Sequence, residues 1–166
     1  MPSEAKGKTG QPSPVREKRV RPRDDLGRPQ PWGSPNQLDM EDFDSKSREE
    51  NHALAIRYFN DGVFFPAHEA WETAWKQSRD TDDSEFFKGL SQLGAGYVHL
   101  LRGNPHGAET LLRRAAGRIA RYPVGHFGVD TQGVSGRALQ DAAAVANGEI
   151  VPGKGALVTP PQVLKE

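Results

Sequence analysis

The stretch Phe59-Asn-Asp-Gly-Val-Phe-Phe-Pro-Ala-His-Glu-Ala-Trp-Glu-Thr-Ala-Trp75 places a turn, a helix start and a cluster of ionisable residues in seventeen positions. Gly62 suits the left-handed conformation that ends a helix, and Pro66 suits the start of the next one. In a helix that begins at Pro66, His68 and Glu72 are four residues apart and face the same side. Ionisable groups among large aromatic residues either lie at the mouth of a pocket or are buried with partners. The stretch therefore marks the candidate site.

Composition narrows the class of protein. The 166 residues include 22 basic and 22 acidic side chains, which gives no formal net charge and argues against nucleic acid as a partner. The absence of cysteine excludes disulfides, thiolate metal ligands and cysteine nucleophiles. No apolar run reaches the roughly 18 residues of a membrane span, and the N-terminus lacks the apolar core of a signal peptide. We therefore expect a cytoplasmic protein with no membrane partner.

Around the opening stretch, the sequence predicts an all-α fold, a compact bundle of about four to five helices with a disordered N-terminal arm. The first helix is expected over residues 48–60, after a capping box that begins at Ser47, and the second over residues 66–78. The third, with Ser84 as its N-cap, is expected over residues 85–102. A fourth helix follows the Asn104-Pro105 start signal and reaches about residue 121, and a short fifth spans residues 135–147. Apolar residues at helical spacing on the third helix predict core positions: Phe86, Leu90, Leu93, Tyr97, Leu100 and Leu101.

The chain is divided into three segments by composition. Residues 1–38 hold seven of the thirteen prolines, which predicts a flexible Pro/Arg-rich arm. Trp32 is able to anchor the end of this arm on the helical domain. Residues 39–150 form the helical domain, and residues 151–166 form an extended tail. The arm carries a basic cluster between Arg16 and Arg28. It is either a solvated tail or an electrostatic contact for a protein or other acidic partner.

A second polar pattern lies on the third helix. Gly89, Gln92, Gly96 and His99 recur at helical spacing, and glycine disfavours a helix interior by up to about 1 kcal/mol. The glycines therefore indicate a close approach of another backbone, toward which Gln92 and His99 reach. The predicted pocket combines both helices and consists of His68, Glu69, Glu72, Gln92, His99, Asn60, Trp75 and Tyr97.

Several blocks in this order resemble the signature of the DUF309 family, small all-helical proteins of unknown function. The first block is Phe59-Asn-x-Gly62, followed by Phe65-x-Ala-His-Glu69 with Glu72 and Trp75. The second and third blocks are Phe87-Lys-Gly-Leu90 with Gln92-Leu93, Ala95, Tyr97 and His99, and then Arg102-Gly-Asn104 with Gly107-Ala108. The similarity covers residues 50 to 122 or so and leaves out the first 38; Trp71 departs from it, where an aliphatic residue is expected. The resemblance implies a bundle of about four helices and no particular chemistry.

Three functions remain open for the chain. The first, which the residues favour, is a structural polar network that lines a small pocket. In it Glu72 accepts hydrogen bonds from His99 or Gln92, and His68 caps or ties the turn from Asn60 to Gly62. The second is a divalent-metal or small-molecule site, and a hydrolase is one protein that would use such a site. In this case His68, Glu72 and His99 are the metal ligands and Glu69 is the candidate catalytic base. The third is a protein- or RNA-binding module that uses the basic arm, with RNA disfavoured by the charge balance.

Overall fold

A computed structural model of the chain describes residues 21–38, 40–153, 156, 160, 161, 163 and 164. Within them lie five α-helices, each packed against the next along the chain, and no β-strand, which confirms the predicted all-α fold. Two isolated backbone bridges, Arg23 to Pro29 and Val129 to Leu164, join segments outside the helices. None of the helices in these ranges is both long and apolar enough to cross a bilayer. The helices are α1 (Arg48–Asn60), α2 (Phe64–Lys76), α3 (Ser84–Leu101), α4 (Pro105–Ile119) and α5 (Thr131–Ala146), with short 3-10 helices at Phe43–Ser45 and His126–Gly128.

Two of the helix starts follow the sequence signals. The Ser47 side chain accepts a hydrogen bond from the Glu50 N–H, so α1 begins where the capping box predicts. Asn104 caps α4 by accepting from the Gly107 N–H, and Pro105 takes the first helical position. Gly62 adopts φ +76° between α1 and α2, as predicted for the residue that ends a helix.

Three other starts differ from the prediction. Helix α2 begins at Phe64, so Pro66 is its third residue, which is tolerated because the first N–H groups of a helix have no intrahelical partner. Ser84 is the first residue of α3 rather than its N-cap. Helix α5 begins at Thr131, four residues early, because Asp130 caps it by accepting from the Gly133 N–H.

The glycines of α3 mark its contacts with two neighbouring helices. A Cβ atom on Gly89 would lie 2.9 Å from Cβ of Arg118, and one on Gly96 would lie 2.8 Å from Cδ2 of Leu112, both on α4. One on Gly94 would lie 3.1 Å from His68 on α2. The predicted close approach is therefore present on two sides of α3. The largest fully buried side chains fill the space between these helices and include Phe59, Trp71, Phe86, Phe87, Leu90, Leu93, Tyr97, Leu100, Leu112 and Ile119.

Residues 21–38 pack on the ends of α2 and α3 through a turn rather than through Trp32, whose side chain is 55% exposed. The turn places Gly27, at φ +78°, directly on the Phe65 ring, where a Cβ atom would overlap the ring. Arg102 at the end of α3 donates to the Leu26 carbonyl at 3.1 Å. The first 20 residues of the predicted arm lie outside the described part, and the division of the chain at residue 38 stays a prediction.

The described part of the C-terminal tail also contacts the bundle. Val163 is fully buried, and its carbonyl accepts from the Asp130 N–H at 2.8 Å. The Gly153 N–H donates to the Leu100 carbonyl at 2.9 Å. Residues 154, 155, 157–159, 162, 165 and 166 of the predicted tail lie outside the described residues.

Candidate functional site

His68 is held against α3 by a close contact between two helices. Because Gly94 has no side chain, the α3 backbone approaches the Cα, Cβ and N atoms of His68. The ring then reaches Ser91, with Nδ1 2.9 Å from the Ser91 carbonyl oxygen and 3.0 Å from its hydroxyl. A carbonyl only accepts, so the Nδ1 position carries the proton and Nε2 of the neutral ring carries a lone pair. The contact with α3 therefore fixes both the orientation and the tautomer of His68.

Two carboxylates of α2 lie beside this nitrogen. The His68 Nε2 atom is 3.4 Å from Oε2 of Glu72 and 3.8 Å from Oε1 of Glu69. One ligand atom from each of the three side chains lies within 4.8 Å of the other two. The side chains of His68, Glu69 and Glu72 are 22%, 35% and 31% exposed. The other oxygen of Glu72 is 3.4 Å from Nζ of Lys76, so part of its charge is already balanced. We call these three residues the His68 cluster.

The His68 cluster borders a groove between α2, α3 and α4 with a volume of about 210 Å³. One wall is apolar, and the ammonium group of Lys88 lies 5.3 Å from the centre of the Trp75 ring. A cavity of about 380 Å³ beside Leu38 and Glu41 is larger, but no imidazole lines it, so the groove is the better candidate for a metal. The residues that line the groove are His68, Glu72, Trp75, Lys88, Ser91, Gln92, Ala95 and Leu111.

His99, predicted as a metal ligand, lies outside the His68 cluster. Its Nδ1 is 3.0 Å from Nδ2 of Asn104, whose Oδ1 accepts from the Gly107 N–H as the cap of α4. This fixes the amide so that its NH₂ donates to Nδ1, and the proton of neutral His99 is then on Nε2. Burial, assisted by Arg102 and His68, lowers the pKa of His99, which favours that neutral form. His99 therefore accepts at Nδ1 from the residue that caps α4 and carries its own proton on Nε2.

Two further predicted pocket residues are placed elsewhere. Tyr97 is fully buried, and its hydroxyl donates to Oδ2 of Asp141 on α5 at 2.5 Å. Burial, together with Asp141, raises the pKa of Tyr97 well above its ordinary value. Asn60 is the exposed last residue of α1. Of the eight predicted residues, the structure thus brings His68, Glu69 and Glu72 together, with Trp75 and Gln92 in the adjoining groove.

Sequence reasoning missed four residues that line the groove, of which Lys88 and Ser91 are polar and Ala95 and Leu111 are apolar. The sequence did hold a signal for Lys88 and Ser91. Positions 88, 91, 92 and 95 are spaced three or four residues apart, so they lie on the same face of α3 as Gln92. The residue that fixes the imidazole, Ser91, does so through its main-chain carbonyl, which no sequence pattern reports.

A histidine that sequence reasoning did not single out, His52, lies in a closed polar network in the core. The Trp71 indole N–H donates to its Nδ1 at 3.0 Å, and its Nε2 donates to the Phe127 carbonyl at 3.0 Å. Burial lowers the pKa of His52, so the ring is held neutral. Trp71 is fully buried and does not line the groove, so the departure from the family pattern at this position leaves the groove unchanged.

Comparison with known proteins identifies a domain and names no chemistry. Residues 53–111 match the family described as a domain of unknown function, DUF309. No curated protein and no solved structure is significantly similar to the chain. The matched range holds the whole His68 cluster and all the residues that line the groove. The protein thus carries a DUF309 domain over residues 53–111, and the His68 cluster and its groove belong to that domain.

Proposed function

We propose that the His68 cluster binds a divalent metal ion at one end of the groove. The observation that carries the proposal is a pair of facing acceptors: the lone pair of His68 Nε2 and a Glu72 oxygen 3.4 Å away. Two acceptors at this separation repel each other unless a cation lies with them. Ligand atoms at about 2.0–2.2 Å from one zinc ion are about 3–3.6 Å apart, so an ion fits with little rearrangement of this pair.

The alternative, a structural network, is less well supported because the cluster is not buried. A polar network contributes to the fold when burial would leave its members without water as a partner. Two such networks are present in the core, one between His52 and Trp71 and one between Tyr97, Asp141 and Arg137. The side chains of the His68 cluster are 22–35% exposed, so water satisfies them without one another.

The donors of the cluster suit a borderline metal. One imidazole nitrogen and two carboxylates match the ligand preferences of Zn²⁺, Mn²⁺, Fe²⁺ and Ni²⁺. The hydrogen bond from Nδ1 to the Ser91 carbonyl is the arrangement that orients metal-binding histidines in general. Glu69 then acts as a ligand rather than as a free base, and the proposal assigns binding without turnover.

A proton is the other cation able to occupy the space between His68 and Glu72. An imidazole nitrogen ligates a metal only through its lone pair, so a proton on Nε2 and a metal ion compete for the same site. Metal binding should therefore weaken as acid is added.

The experiment is a thermal unfolding series on protein without an affinity tag, with and without Zn²⁺, Mn²⁺ or Ni²⁺ at neutral pH. A metal at 100 times its Kd should stabilise the parent by about 2.7 kcal/mol, and the rise in Tm should be lost in Glu72→Gln. Glu109→Gln is the matched control, because Glu109 also forms an i,i+4 pair on a helix, with Arg113 at 3.2 Å, away from the groove. An equal metal effect in parent and Glu72→Gln, or none in the parent, would exclude the proposal.

A further inference from the structure

We propose that the groove beside the His68 cluster binds a small organic carboxylate whose body is planar or apolar. The inference rests on the proposed function, because it takes the His68 cluster to be one end of a binding site rather than a contact within the fold. Under that function, a carboxylate oxygen of the ligand completes the metal coordination, and the chain supplies the remaining contacts.

The first contact is the ammonium group of Lys88. Lys88 is half-buried in the groove, and among the described residues no carboxylate lies within 4.0 Å of its ammonium group. The ammonium group lies over the Trp75 ring, with Nζ 5.3 Å from the ring centre. That contact leaves the N–H donors of the ammonium unused, since a ring face attracts the charge without accepting conventional hydrogen bonds. The other lysine near the cluster, Lys76, differs in being paired with Glu72.

The second contact is an oriented amide. Arg118 on α4 is held by Glu85 at 2.9 Å and donates to Oε1 of Gln92 at 3.3 Å. Because that oxygen is occupied, the NH₂ group of Gln92 is the end of the amide left to a ligand, and no described residue accepts from it. The groove thus presents an ammonium and an NH₂ group, both donors, as an oxyanion requires.

The remaining wall determines the body of the ligand. Trp75, Ala95 and Leu111 line the groove with ring and aliphatic surface, on which hydrated phosphate alone makes no favourable contact. The volume, about 210 Å³, is below the roughly 300–1,000 Å³ typical of sites for drug-sized ligands. These dimensions and surfaces fit a carboxylate with one ring or a short branched chain.

The test uses benzoate as the probe, benzamide as its uncharged counterpart and inorganic phosphate as an anion without an apolar body. Binding is followed by the NMR cross-peak of the Trp75 indole N–H, with and without Zn²⁺. We expect benzoate to shift this peak saturably, with at least tenfold tighter binding than benzamide or phosphate. Lys88→Met, which keeps the length of the side chain and removes the charge, should weaken benzoate at least tenfold and leave benzamide unchanged.

The control is Lys46→Met, which removes a lysine paired with Glu41 at 3.0 Å, away from the groove. Equal binding of benzoate and benzamide, or equal benzoate binding by parent and Lys88→Met, overturns the inference. A shift by Zn²⁺ alone reports on the proposed function independently. Zinc binding without selective benzoate binding therefore removes the inference and leaves the metal site. The absence of both removes the binding site altogether.

Discussion

Replacing Gly94 by alanine adds one methyl group at the point where α3 passes His68. That methyl would lie 3.1 Å from three atoms of His68, of which Cα and N belong to the α2 backbone and cannot move aside by a side-chain rotation. Ordinary contacts between carbon atoms are about 3.5–4.0 Å, so α2 must move outward by a few tenths of an ångström. Overpacking of this kind costs about 1–3 kcal/mol.

The matched control is Gly136→Ala on α5, where no heavy atom lies within 4 Å of the added methyl. Both substitutions gain the same helix propensity, up to about 1 kcal/mol, so their difference isolates the overpacking. We expect the free energy of unfolding, measured in urea, to be about 1–3 kcal/mol lower for Gly94→Ala than for Gly136→Ala. The Gly94 variant should also bind metal more weakly, because the shift of α2 lengthens the bond from His68 to Ser91. Equal stability of the two variants would contradict the close contact on which the site depends.

Three further outcomes follow from the buried networks and the N-terminal segment. Burial lowers the pKa of His52 below its ordinary value of 6.5, so folding favours the neutral ring. Below pH 6.5 the unfolded chain binds this proton more readily than the folded protein, which lowers the free energy of unfolding. Tm should therefore drop from pH 7 to pH 5.5, and it should drop less in His52→Gln. Tyr97→Phe leaves Asp141 without its hydroxyl donor and should lower the free energy of unfolding by about 1–3 kcal/mol in urea. Deleting residues 1–38 removes Gly27 from the Phe65 ring and should lower Tm by several degrees, because burial of such a ring stabilises by about 1.5–3 kcal/mol. An unchanged Tm would mean that the segment contributes nothing to the stability of the folded protein.

The sequence predicted the parts of the fold that local chemistry determines. Ser47 and Asn104 are caps whose hydrogen bonds reach only three residues along the chain, and both helices begin where these caps indicate. The start of α5 was predicted late because the glycine-rich span that ends at Gly133 resembles a loop, although Asp130 supplies a cap before Gly133. The packing of Gly27 on Phe65 joins residues 38 positions apart, and no local pattern reports such a contact.

The candidate site was predictable only within one helix. The spacing of His68, Glu69 and Glu72 on α2 is a property of the sequence, and the structure keeps the three together. Which residues of α3 meet them depends on how α3 rotates against its neighbours, and the sequence gives no measure of that rotation. His99 is the example: its ring contacts Asn104 at the start of α4, while Ser91, eight residues earlier, meets His68.

The most direct test of the metal site is anomalous diffraction from crystals of the untagged protein soaked in Zn²⁺. We expect a peak in the anomalous difference map about 2.0–2.2 Å from Nε2 of His68 and from a carboxylate oxygen of Glu72. The same soak of Glu72→Gln crystals should show no peak at that position. A parent map with no peak at the His68 cluster, or with its zinc peaks only at other groups such as His126 and Asp83, which lie 2.8 Å apart, would contradict the assignment.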